Sequence, residues 1–258
     1  MTEGIIYPNA PIREAVLDIR VQPRAGLTQA DLERVTTELK ADYSQVQGVR
    51  QMMVEVGLID PNTSTTKTLA GDVGFLAHSS ILDSAGTSSS VYKIDPTGLS
   101  FSKLKPYRDW RDLKADAKKV WDIYEQIAQP TAITRLGLRY VNRIDIPTTD
   151  GKIDVADWFR TTLDVPDDFG GPLNHFFFQM QVPIAELGAE CVINSGPVPP
   201  ARTGIVAVMF DIDVFKDWTT VPLSEDMWSY FDRLRKWKNH FFEKSLTDRT
   251  KELFYGGN

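Results

Sequence analysis

The first clear pattern is a strict alternation over residues 12–21. Ala15, Leu17, Ile19 and Val21 are interleaved with Glu14, Val16, Asp18 and Arg20. That is the period-2 signature of a strand with one apolar and one mixed face. Pro23 ends it, and Thr28 then reads as a helix N-cap with Asp31 as its box partner. Leu32, Val35, Leu39 and Tyr43 follow at helical spacing, and Gly48 is expected to close that helix. Strands are predicted over 52–59, 73–78, 91–94 and 99–104, with a polar loop over 61–68. An Asp95-Pro96-Thr97-Gly98 turn joins the last two as a hairpin. Asp109 caps the clearest helix. Its stripe is Trp110, Leu113, Ala117, Val120, Trp121, Tyr124, Ile127 and Ala128, and Pro130 stops it.

The order of elements then starts again. A long alternating strand is predicted over 133–146 and a short helix over 153–163. Further strands follow over 176–182, 190–194 and 204–214, with a proline-rich loop over 195–202. Ser224 is expected to cap a final long helix with a stripe of Met227, Tyr230, Phe231, Leu234, Phe241 and Phe242, running to about Leu246. Asp-Trp precedes both long helices, at Asp109-Trp110 and Asp217-Trp218. The expected fold class is therefore α+β. It would be a tandem duplication of a strand–helix–strands–long helix unit, with mainly antiparallel sheets and helices packed on one face. Residues 1–130 would form the first repeat and 131–258 the second, packed as one body. One irregular α+β domain is the alternative.

Composition narrows the class without naming a function. The chain has 258 residues, 42% hydrophobic and 25% charged, as in ordinary soluble proteins. A net charge of −6 disfavours non-specific nucleic-acid binding. The only cysteine, Cys191, excludes an intramolecular disulfide and reads as a buried strand residue. No apolar run approaches the ~18 residues of a membrane span, and Met1-Thr2-Glu3-Gly4 carries no leader pattern; the expected location is cytoplasmic. Phosphate-binding glycine loops, paired metal-ligand spacings and nucleophile elbows are absent from the sequence, and His78, His175 and His240 are scattered. No cofactor and no metal are expected.

Three constellations remain. On the strand Arg135 to Asp145, odd positions place Arg135, Arg139, Arg143 and Asp145 on one face, and even positions place Tyr140 and Asn142 on the other. The arginines span about 26 Å, too far for one small anion, though two could grip a phosphate or carboxylate. The simpler reading pairs them with Glu14 and Asp18 of the first strand. Asn142, on the apolar face, needs partners, most simply backbone groups of a loop. The second constellation is the basic, aromatic run Lys103 to Lys119, which otherwise reads as the solvated back of a helix. The third is the acidic stretch from Asp145 to Asp168, with no calcium-loop spacing.

Three segments carry a resemblance. Asn9-Ala10-Pro11-Ile12-Arg13-Glu14-Ala15-Val16 followed by Ile19-Arg20, the run Arg135 to Ile144, and Phe241 to Arg249 followed by Leu253-Phe254 together resemble a sporadically distributed prokaryotic protein family of unknown function. The resemblance covers essentially the whole chain and implies no activity. Patchy distribution is typical of mobile accessory genes, including defence-type cargo. It directs attention to Glu14, Arg20, Arg139, Tyr140, Asn142 and Arg143.

Three functions compete. The first is a binding or interaction module for a small anionic ligand or a protein partner. The second is an enzyme on a phosphorylated or nucleotide substrate, with Arg139 and Arg143 as anion clamp and Glu14 and Asp18 as acid–base groups or metal ligands. The third is a structural or oligomerising component. The run Phe176-Phe177-Phe178 would feed its interface, unless that run lies on a central strand buried on both faces.

Overall fold

The structure, a computed structural model, describes residues 5–60, 63–83, 86–161, 175–223 and 226–256. Its strands are β1 (Ile12–Gln22), β2 (Gln45–Asp60), β3 (Thr63–Asp83), β4 (Gly86–Asp95), β5 (Gly98–Leu104), β6 (Ala132–Pro147), β7 (Phe178–Ile184), β8 (Ala189–Val198) and β9 (Ile205–Val221). Its helices are α1 (Gln29–Glu38), α2 (Trp110–Ala128), α3 (Val155–Trp158), α4 (Asp226–Ser245) and α5 (Asp248–Glu252). The strands form one antiparallel sheet in the order β2-β3-β4-β5-β1-β6-β9-β8-β7. β1 and β6 are neighbours. β5, β4, β3 and β2 extend from β1 on one side, and β9, β8 and β7 from β6 on the other. No described helix is long and apolar enough to cross a membrane.

The alternation read in β1 and β6 is the alternation of burial. Ala15, Leu17, Ile19 and Val21 are buried, as are Leu136, Leu138, Tyr140, Ile144 and Ile146. Each fully buried Leu or Ile is worth roughly 1.5–3 kcal/mol relative to exposure. α2 packs on β5 and β1, and α4 on β6 and β9. Thr28 and Asp31 form a reciprocal capping box on α1, and Asp109 caps α2 by accepting from the Asp112 amide. Gln129 ends α2 in the left-handed region at φ 47°. Gly98 closes the β4–β5 turn at φ 143°, where a Cβ would stand 2.0 Å from the Ile19 carbonyl oxygen.

Several boundaries differ from expectation, for identifiable reasons. α1 ends at Glu38 with its cap at Leu39, and Gly48 lies inside β2. The polar stretch expected as a loop over 61–68 is strand from Thr63 onward, because β2 and β3 pair as one long hairpin that needs no apolar face at that end. β8 continues through Pro197 to Val198, since β7 stops pairing at Ser195 and so asks no amide of that proline. The helix expected over 153–163 is one turn, α3; residues from 162 lie outside the described ones, as do Ser224, Asp164, Asp167 and Asp168. Phe176–Phe178 lead into an edge strand and not a central one: Phe177 is exposed, and Phe176 stacks on Phe178 at 6.2 Å. Cys191 is buried and free on β8.

Candidate functional site

The residues nominated from sequence divide between the two faces of the sheet. The charged ones share one face, where Val16 stands opposite Arg139, Asp18 opposite Gly137 and Arg20 opposite Arg135. Arg135 donates to Asp18 at 2.7 Å and Asp213 at 3.1 Å, and lies over the Phe215 ring. Gly137 leaves room for it, since a Cβ there would meet the guanidinium at 2.4 Å. Arg20 pairs with Asp18 at 2.8 Å and Asp95 at 3.2 Å. Arg139 makes two 2.8 Å bonds to Asp211, and Arg143 bonds Asp145 at 2.8 Å and the Pro199 carbonyl at 3.0 Å. Asp18 thus pairs as the simpler reading expected, whereas Glu14 only adds its charge near Arg139. The other acids, Asp211, Asp213 and Asp217, come from β9, and burial pushes the Asp213 carboxyl up against the pull of Arg135 and Arg139.

The basic run is likewise paired, Lys103 with Asp116, Lys114 with Asp232, Lys118 with Asp122 and Lys119 with Asp42. Lys114 and Lys118 border a groove of about 740 Å³ along α2, with Trp228 of α4 on its other side. Both lysines are already neutralised there.

Tyr140 and Asn142 line a different space, a cavity of about 630 Å³. That volume is in the range of small-molecule sites. Four segments wall it: residues 5–12, residues 105–110, β6 with Tyr140 and Asn142, and α4 with Arg235, Lys238, Asn239, Phe242 and Glu243. The exposed Ile5 and Ile6 line its edge. Three separate stretches of the chain thus meet here, through Asn9 to Ile12, Tyr140 with Asn142, and Phe242 with Glu243. Residues 5–12 are held by their own bonds: Tyr7 donates to Glu243 at 2.9 Å, and the Asn9 amide donates to the Phe254 carbonyl at 2.9 Å.

Lys238 is the unusual group. It is 8% exposed, and its Nζ lies 3.9 Å from the centre of the Tyr140 ring. It forms no ion pair with any described residue. Burial, with the like charge of Arg235, lowers it to about 7 against the pull of Glu243. The ring face of Tyr140 is what its ammonium form has in place of a carboxylate. The Tyr140 hydroxyl meets that of Tyr107 at 2.9 Å. Burial pushes both phenols up, Tyr107 to about 12, so both stay protonated as donors at neutral pH. Asn142 spends its amide hydrogens on the Tyr140 and Phe210 carbonyls, strand backbone and not the loop backbone expected. Its oxygen is left as an acceptor.

The charge balance of the cavity is positive. Among the described residues, Lys105, Arg235 and Lys238 line it against Asp109 and Glu243, and Arg108, which has a partner of its own, lies on the same wall. Both acids are engaged: Asp109 holds the Asp112 amide, which keeps its carboxyl low, and Glu243 accepts from Tyr7 and pairs with Lys251 at 3.4 Å. The sequence reading missed Lys238 and Arg235. One signal was available, because Lys238 falls on the apolar stripe of α4 between Leu234 and Phe242, where a charge needs a reason. No protein-family model matches the chain, and comparison with curated proteins finds no match.

Proposed function

We propose that this chain is a binding module whose cavity between residues 5–12, residues 105–110, β6 and α4 takes a small anionic ligand. The observation that carries it is Lys238, a buried lysine with no carboxylate partner, set beside Arg235 in a cavity whose two acids are already engaged. Burying a cation unpaired is costly, and an anion arriving there recovers that cost. The Tyr107–Tyr140 pair adds one hydroxyl donor and the Asn142 oxygen an acceptor that would orient the ligand. A phosphate clamp at Arg139 and Arg143 would first have to break their bonds to Asp211, Asp145 and Pro199. That favours the cavity over the enzyme reading.

The test is calorimetric titration and thermal shift with phosphate, carboxylates and nucleotides, on the parent and on Lys238→Met and Arg235→Ala. Binding of at least one anion, weakened about tenfold or more in each variant, is expected for loss of a charge-assisted bond. Equal binding by parent and variants overturns the assignment.

We also read residues 1–130 and 131–258 as two degenerate copies of one unit. Supporting this, β1 and β6 lie side by side antiparallel, and in each half the remaining strands start at the outer edge and step back to the first, ahead of a long helix.

A further inference from the structure

The same cavity points to a covalent role for its lysine. We propose that Lys238 captures the carbonyl group of a small anionic aldehyde or ketone by forming an imine with its ε-amine. The inference rests on the anion-binding reading and names the class of ligand within it. A primary amine that is buried, unpaired and beside open volume is rare, because lysine ammonium groups normally reach water or a carboxylate. Here the surroundings are the Tyr140 and Phe242 rings, with the nitrogen 3.9 Å and 6.0 Å from their centres. Desolvation of this kind makes lysines nucleophilic. Its setting lowers the amine to about 7, which leaves a free-amine fraction on the order of a thousandfold that of a surface lysine at neutral pH.

The chemistry closes with what the site and ligand supply. The amine lone pair attacks the carbonyl carbon, and one proton passes from the nitrogen to the carbonyl oxygen to give a carbinolamine, the second leaving with that oxygen as water. Loss of one water then forms the C=N bond. No electrons are transferred to or from the pair, and the only by-product is that water. The Tyr107 and Tyr140 hydroxyls bond each other, so one of their two protons is left to donate to the departing oxygen. Arg235 would hold the anionic group away from the reacting carbon.

Pyridoxal 5′-phosphate serves as the probe, an aldehyde and an anion in one molecule. Its unreactive counterpart is pyridoxine 5′-phosphate, with an alcohol in place of the aldehyde. The full-length protein is incubated briefly with the aldehyde, reduced with borohydride and mapped by mass spectrometry. The expected result is one adduct per chain at Lys238, formed on the order of a hundredfold faster than at exposed lysines outside the cavity such as Lys40. Pyridoxine 5′-phosphate should slow it. Lys238→Arg keeps the positive charge and, once shown to melt like the parent, should still bind pyridoxine 5′-phosphate while losing the adduct. Labelling spread over exposed lysines, or unchanged in Lys238→Arg, overturns the proposal. If pyridoxine 5′-phosphate binds but no adduct forms, the covalent step fails and the anion site stands. If neither molecule binds, the anion site fails as well.

Discussion

Two side chains test opposite kinds of burial. Lys238 is a cation buried without a partner, and Asp211 an anion buried with one. Unfolded lysine titrates near ~10.4, so between about pH 7 and that value the unfolded chain holds more protons at position 238 than the folded chain does. Stability therefore rises with pH through that window, and the cost is greatest below pH 7, where both states are charged. The groups facing the amine are Arg235, Glu243, Tyr140 and Tyr107, with Lys105 on the same cavity wall. The phenols begin to lose protons in the unfolded chain only near ~10. Lys238→Met is expected to be more stable than the parent at pH 6 by on the order of 2–4 kcal/mol, with the gap narrowing by pH 9 in urea denaturation. A gap independent of pH would remove the desolvated lysine from the argument. Asp211 is different: it is 1% exposed and satisfied by Arg139 and Asn194. Arg139→Ala should destabilise by about 2–3 kcal/mol, because it strands a buried carboxylate, less than for a wholly buried pair since Arg139 is half exposed. Glu14→Gln, which breaks no ion pair among the described residues, should change little. From sequence, Arg139 was legible as a residue in need of an acid, but Asp211 as its partner was not, because that depends on the register between β6 and β9.

Strands and helices follow local pattern where one face is buried and depart from it where pairing alone suffices. α2 was readable end to end: Asp109 as cap, a stripe of buried positions, and Pro130 beyond its last turn. β2 and β3 were under-read, because a hairpin held by its own ladder does not require alternation along its full length. The aromatic run leading into β7 was left open between an interface and a central strand, since composition cannot tell an edge from a centre. Two substitutions probe the local geometry. Gln129→Gly should stabilise by about 1 kcal/mol, raising the melting temperature by roughly 2–4 °C, because a side chain at φ 47° is strained and exposed here. Gly98→Ala should destabilise by several times that amount, in the range of about 2–4 kcal/mol, since its Cβ would meet the Ile19 carbonyl. Equal melting temperatures for parent and Gly98→Ala would mean that the β4–β5 turn relaxes freely.

Across the fold, the candidate cavity is made by four segments drawn from both ends and the middle of the chain. Residues 5–12 reach it by pinning Tyr7 to Glu243 and Asn9 to Phe254, residues 105–110 by leading from β5 into α2, and α4 by lying across β6. An anion bound there should slow amide hydrogen exchange in residues 5–12, 105–110 and 235–243 together. It should leave the amides around Asp18 of β1 and Asp213 of β9 unchanged; protection centred on those would move the site to the opposite face of the sheet. Local periodicity was enough for the α+β class, for most of the strands and long helices, and for the two-faced character of β1 and β6, because burial on one face imprints a period on the chain. It also singled out Asn142, as a polar residue on the apolar face of β6. Strand order, the β9 acids that neutralise the arginines, and the meeting of Lys238 with Tyr140 came only with the folded chain. Those are contacts between distant segments, and packing that brings them together leaves no period in the sequence.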